Sequence, residues 1–261
     1  GVNARGIPIT SDGIDLDALE RKLDALCRTG EIRKLKLLYL VSYFQNPTGI
    51  TTSFEKKQRA LEMLRRCERK AGHPIYLLED AAYRELRFAG PDVASALAAK
   101  RADRVIYTGT YSKPFATGIR VGYGVLPEPL FTPVVHVKGN HDFGTSNLLQ
   151  QVLRGALNSG LYDKHLPILQ QRYGRKAAAM LDALAKSFPA GVTWQAPLGG
   201  MNVWAQLPRA VSAGGKSQLF RRALDRGVFY VPGEFCFAPD PARPMPRNSM
   251  RLSFGSATDL E

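Results

Sequence analysis

The sequence predicts an α/β protein: a mostly parallel sheet flanked by helices, followed by a smaller α+β unit. Three observations predict it. Short apolar runs, "KLLYLVS" at 36–42, "IYLLED" at 75–80 and "RVIYTGT" at 104–110, have the length of strands buried on both faces. Stretches of helical period separate them, which implies crossovers between parallel strands with helices on both faces of the sheet. The second half then changes to long helices and several short strands around one helix.

The elements follow in order. Leu16, Leu19, Leu23 and Leu26 recur at helical spacing behind Asp12 and Asp15, either of which can cap, so the first helix covers about 15–28. The strand at 36–42 runs into "QNPTG", a turn sequence. Ser53 caps a second helix through about residue 70, which Gly72 and Pro74 stop. "VGYGVL" at 121–126 repeats the strand signal. Helical patterns cover about 145–159 and 162–187, the second rich in Ala, Leu, Lys and Arg. "GVTWQAP", "MNVWAQLP", a helix near 216–226, "VFYVPG" and "MRLSF" complete the pattern, with "APDPARPMPRNS" at 238–249 as a proline-rich loop. The division is a large unit over 1–160 and a small one over 161–261, entered through the long helix.

Bulk properties narrow the functional classes. At 261 residues the chain supports a substantial core. It holds no apolar run of membrane-spanning length, and its opening residues lack the features of a signal peptide, so the expectation is a cytoplasmic protein. Cys27, Cys67 and Cys236 are far apart in sequence, odd in number and outside any Cys-x-x-Cys or Cys/His cluster, which predicts neither disulfides nor a metal site. The net charge of +13 raises nucleic acid as a partner. The densest basic run, Arg65, Arg66, Arg69 and Lys70, is interspersed with Glu62 and Glu68 on a helix; it reads as a solvated face without an aromatic platform.

Asn46, Asp80, Thr110 with Lys113, and Arg120 all fall at or just past predicted strand ends, where α/β sheets gather their ligands. A carboxylate there can pair with a protonated ring nitrogen, hydroxyls and an arginine suit a phosphate, and a lysine can form an imine with an aldehyde. Together those chemistries describe pyridoxal phosphate. Singly, each residue has a plainer reading: "NPTG" as a turn, Asp80 as a cap, Tyr83 as core, and the lysine and arginines as solvated charges.

The ordered set "YLVSYFQNPTGITTS", "LLEDAAYREL", "YTGTYSKPFATGIRVGY", "APLGGMNVW" and "MRLSFG" resembles the class I/II aminotransferases of the fold-type I pyridoxal-phosphate enzymes. Within them it is most similar to the branch of aminoadipate and kynurenine aminotransferases and of MocR-type regulators. The resemblance implies a homodimeric transaminase moving an amino group between an amino acid and a 2-oxo acid, with 2-oxoglutarate as one candidate. It also admits a ligand-sensing regulator domain or an inactive shortened homologue.

Residue by residue, the resemblance implies that Asn46 and Tyr83 contact the cofactor's phenolic oxygen and that Asp80 keeps its ring nitrogen protonated. Lys113 forms the imine and moves the α-proton. Thr110 and Arg120 bind the phosphate with Ser112 beside them, and Arg251, with Asn46, receives the substrate carboxylate. Tyr43 and Phe115 are candidates for an apolar substrate pocket, and Gly199 and Gly200 match a tight family turn. The family's amino-terminal phosphate loop, the aromatic residue stacked on the cofactor and the last helix have no counterpart in these 261 residues, so cofactor retention is expected to be weaker than in a longer relative.

Overall fold

A computed structural model describes residues 2–239 and 244–255. It opens with a hairpin of β1 (Ile9–Thr10) and β2 (Gly13–Ile14), which leads into α1 (Leu16–Thr29). Of the two candidate caps it is Asp15 that accepts the Ala18 N–H, at 2.8 Å, while Asp12 turns away to pair with Lys56. Gly30, at φ 74°, ends the helix in the left-handed conformation that glycine adopts without steric cost.

The main sheet is built from β3 (Leu37–Val41), β4 (Tyr76–Asp80), β5 (Val105–Thr110) and β6 (Gly122–Val125), in that spatial order. The first three are parallel, with Val41 opposite Asp80 and Asp80 opposite Thr108; β6 is antiparallel to β5, with Gly122 opposite Thr110. Between β3 and β4 runs α2 (Phe54–Ala71), capped by Ser53 and ended by Gly72. Leu19, Leu23 and Leu26 of α1, Leu61 and Leu64 of α2, and Leu40, Leu77 and Val105 of the sheet form one buried cluster. Alternation along each strand sends these residues to one face and Leu37, Tyr39, Leu78 and Asp80 to the other.

The mostly parallel sheet with flanking helices is as predicted, but its helical cover differs from the expectation of both faces. Leu37 and Tyr39 remain 42 % and 53 % exposed. The reason is handedness: strand order advances in one direction from β3 to β5, and crossovers of one hand then all pass over the same face. Covering the second face requires a reversal of strand order, which these strands do not contain.

Three further helices follow: α3 (Glu128–Asp142), α4 (Asn147–Asn158) and the 27-residue α5 (Leu161–Ser187). The sequence reading lacked α3. Its Pro133, inside the helix, argues against one, its apolar residues have little periodicity and none of its residues is buried. The second sheet has the order β7 (Thr193–Trp194), β8 (Asn202–Gln206), β10 (Ser249–Ser253), β9 (Val231–Pro232), all antiparallel. Between β8 and β9, α6 (Gln218–Asp225) is capped by Ser217. Ala177 and Leu184 of α5 pack on Val203 and Phe254, joining the long helix to this sheet. Of the proline-rich loop, residues 240–243 lie outside the described residues.

Cys27 and Cys67, remote in sequence, meet where α1 packs on α2, their sulfurs 3.9 Å apart as free thiols. The basic run of α2 is more engaged than a solvated face: Arg66 pairs with Glu20, and Arg65 pairs with Asp103 and is mostly buried. No helix among the described residues is long and apolar enough to cross a membrane.

Candidate active site

The polar residues singled out in the sequence sit around the carboxyl ends of β3, β4 and β5. Asn46 lies in the loop leaving β3, in a turn held by Gly49 N–H to Gln45 O at 2.6 Å and Gln45 N–H to Ile50 O at 2.9 Å. The Asn46–Pro47 peptide is cis and Gly49 has φ 74°. "NPTG" is therefore a turn as well as a carrier of a polar side chain. Asn46 Nδ2 donates to the Tyr83 hydroxyl at 3.4 Å, and Asn46 Oδ1 accepts from Arg251 at 2.8 Å. That chain joins three elements: the loop after β3, the turn after β4, and β10, 205 residues away. Arg251 Nε is buried without a hydrogen-bond partner among the described residues, which costs free energy unless an acceptor arrives.

Lys113 stands after β5 in a partly buried position, its Nζ 5.9 Å from the centre of the Tyr83 ring. Around it the chain turns on its own hydroxyls. Thr110 Oγ1 accepts the Ser112 N–H at 3.0 Å and donates to Val121 O at 3.4 Å. Arg120 reaches back to Ser112 Oγ at 3.2 Å and Thr117 O at 3.1 Å. Its backbone sits at φ 51°, a strained conformation for a residue with a Cβ. Two hydroxyls and an exposed guanidinium thus cluster within one turn, a donor set suited to a phosphate. Asp80 ends β4, its Oδ1 accepting the Ala82 N–H at 3.0 Å and its Oδ2 the Tyr39 hydroxyl at 2.7 Å. Tyr39 escaped the sequence reading; its signal was its place on a strand, in phase with Asp80 on the neighbouring one.

Two expectations about the surroundings change. Tyr43 does not line a pocket: it is 1 % exposed, on the covered side of the sheet, with Lys57 Nζ 4.0 Å from its ring. It lies two residues past the end of β3, where the alternation of the strand no longer sets its direction, and it turns to the side of Lys57, the partner of Glu79. Phe115 packs on Tyr162 and His165 within the cluster of Ile119, Val121 and Leu153. The paired glycines serve backbone approach, since a Cβ on Gly199 would lie 2.5 Å from the Phe44 ring and Gly200 has φ 79°.

This topology, with polar residues gathered at the ends of its parallel strands, is the fold-type I architecture. The crystal structure of Pyrococcus horikoshii kynurenine aminotransferase, solved with PMP, KYN as substrates and KYA as products, matches it at TM-score 0.86 and 33 % identity, over 95 % of this chain and 58 % of that one. The chain belongs to the aminotransferase class I and II family, whose model matches residues 2–261. It is 36 % identical over 249 residues to aromatic-amino-acid aminotransferase 1 of Thermococcus litoralis, covering 95 % of this chain and 56 % of the relative. It is likewise 36 % identical over 253 residues to 2-aminoadipate transaminase of Thermus thermophilus, covering 96 % and 58 %. The chain thus spans a little over half the length of the curated relatives it matches.

Proposed function

We propose that this chain carries the cofactor- and carboxylate-binding machinery of a pyridoxal-phosphate-dependent aminotransferase acting on an amino acid and a 2-oxo acid. The observation that carries the reading is the hydrogen-bonded chain Tyr83–Asn46–Arg251, with the unpartnered, buried Nε of Arg251 beside it. The donor set fits the cofactor: hydroxyls and a guanidinium for its phosphate, a carboxylate for its ring nitrogen, and an amine with no hydrogen-bond or ion-pair partner among the described residues for its aldehyde. When bound, the group supplies an electrophilic carbon and a cationic ring that withdraws electrons from the substrate Cα.

The chain's own residues then divide the work. Arg251 presents a planar fork whose free N–H groups grip the substrate α-carboxylate, while Asn46 holds the fork from one side. Fixing that carboxylate orients the bonds at Cα, so the proton to be moved points at one base. Lys113 takes that proton on Nζ and returns it, a role for which an amine free of ion pairs is suited. Asp80 holds countercharge at the ring nitrogen, and Arg120, Ser112 and Thr110 anchor the anionic end. A homodimer belongs to the same reading; it is supported by the exposed apolar residues of α3, among them Phe131 and Val137.

The test is absorbance of the chain mixed with pyridoxal phosphate, followed by a panel of amino acids. The expected result is a bound chromophore that converts to pyridoxamine phosphate with at least one amino acid. Lys113→Ala abolishes both borohydride fixation of the cofactor and conversion, and Arg251→Lys raises the amino-acid concentration needed by about tenfold or more. Uptake without conversion is the signature of a ligand-sensing regulator domain instead, and label fixed at another lysine overturns the assignment.

A further inference from the structure

Tyr39 and Asp80 meet on the uncovered face of the sheet. Register explains the meeting: Tyr39 lies opposite Leu78 and Val41 opposite Asp80, so Tyr39 and Asp80 share a face on adjacent strands, offset by two residues. That diagonal is within reach of a phenol and beyond that of a short side chain. An ionised carboxylate only accepts hydrogen bonds, so at 2.7 Å the phenol is the donor. With Ala82 N–H on Oδ1 and Tyr39 O–H on Oδ2, both oxygens are tethered, and each keeps a second lone pair.

We infer that Tyr39 is a positioning residue for the cofactor site: its hydroxyl holds the Asp80 carboxylate in the plane and rotation from which a remaining lone pair receives the protonated ring nitrogen. This rests on the proposed function, since it assigns Asp80 to that nitrogen. Without the phenol, Asp80 keeps one backbone tether and rotates more freely, and cofactor binding must then order it. The charged groups and titratable groups facing Tyr39 are Asp80 from β4 and Tyr83 from the turn after it. Although the residue is 53 % exposed, its partial loss of solvent raises the ionisation of the Tyr39 phenol well above the ordinary tyrosine range, and the hydrogen bond and charge of Asp80 push the same way.

The experiment has two parts. In the cofactor-free chain, NMR of ring-labelled tyrosine at rising pH, with the Tyr39 signal assigned by its loss in Tyr39→Phe, reads the phenol directly. Tyr39 is expected to ionise well above the ordinary tyrosine value of about 10, and Asp80→Asn to move it back toward that value. A Tyr39 that titrates near 10 and ignores Asp80→Asn overturns the inference. In the second part Tyr39→Phe, which keeps the ring, weakens pyridoxal-phosphate binding about tenfold, as loss of a partner behind a metal ligand does, and shifts the pH at which the bound cofactor's visible band changes. Unchanged affinity with an unchanged pH midpoint overturns the role of Tyr39 while leaving the proposed function standing. A parent chain that takes up no cofactor overturns the proposed function, and this role with it.

Discussion

Glu79 and Asp80 are adjacent carboxylates on β4 with opposite fates. Glu79 points to the covered face and is 0 % exposed. Its Oε1 lies 2.8 Å from Lys57 Nζ, and its Oε2 accepts from Ser95 Oγ at 2.5 Å and Ala96 N–H at 2.8 Å. Lys57, itself fully buried, also donates to Ala94 O at 2.9 Å. Burial pushes the Lys57 amine below the ordinary lysine range, and the Glu79 charge opposes that push. Asp80, one residue on, faces the other side, held by two donors and open to a third. One carboxylate is consumed by structure, pinning the 94–96 loop to the sheet, whereas its neighbour is presented to a ligand. The alternation of a strand suffices to separate the two roles.

The sharpest way to break this comparison is to remove the charge partner of the buried carboxylate and, separately, the charge of the presented one. Lys57→Met leaves Glu79 buried and uncompensated, and urea unfolding is expected to show a loss of about 3–5 kcal/mol. Lys57→Met combined with Glu79→Gln removes the orphaned charge while an amide oxygen still accepts from Ala96, so the double variant recovers much of the loss. Asp80→Asn, in contrast, is expected to shift stability by under about 1 kcal/mol and to suppress cofactor uptake. A double variant no better than Lys57→Met, or an Asp80→Asn as unstable as it, would show that the two faces are not distinct in this way.

A milder test lies where the second sheet touches the Asn46 loop. Gly199→Ala sets a methyl 2.5 Å from the ring of Phe44, which is 6 % exposed and two residues from Asn46. The ring has to shift, at a cost of about 1–3 kcal/mol in the same unfolding assay. Gly155→Ala on α4, where an added Cβ meets nothing within 4 Å, is the control and is expected to gain up to about 1 kcal/mol from helix propensity.

Those faces were only partly legible in the sequence. Strand ends were readable because apolar runs stop at turn residues, and that alone placed Asn46, Asp80, Thr110 and Lys113 along one edge of the sheet. The caps at Ser53 and Gly72 were readable from local chemistry. Which face each side chain takes depends on register between strands, a non-local property. Tyr39 lies in a run that reads as buried on both faces, yet it is half-exposed and bonded to Asp80; Tyr43, a pocket candidate by sequence, lies past the strand end and packs against Lys57. The one-sided helical cover depends on strand order, which no single segment encodes. The helix α3 stayed hidden because exposed apolar residues without periodicity carry no helical signature.

The smallest effect sharpens the comparison by adding a third carboxylate, Asp92, which is neither buried like Glu79 nor presented to a ligand like Asp80. Arg84 grips it with two N–H groups, at 2.7 and 3.3 Å. Burial pushes its carboxyl up, but the Arg84 hydrogen bond and charge outweigh that and hold it below the ordinary range. The unfolded chain therefore binds the proton more readily than the folded one. It follows that the pair's stabilisation is complete above the unfolded value of about 3.9 and is lost as pH falls through the lower folded value. Because the Asp92 side chain is 48 % exposed, solvent screening keeps the contribution under about 1 kcal/mol. Urea unfolding between pH 3 and 7 is expected to give a shallower acid limb for Asp92→Asn than for the parent. An unaltered limb would mean that the Arg84 contact is electrostatically neutral in solution, and that among these three carboxylates only the buried one contributes measurably to stability.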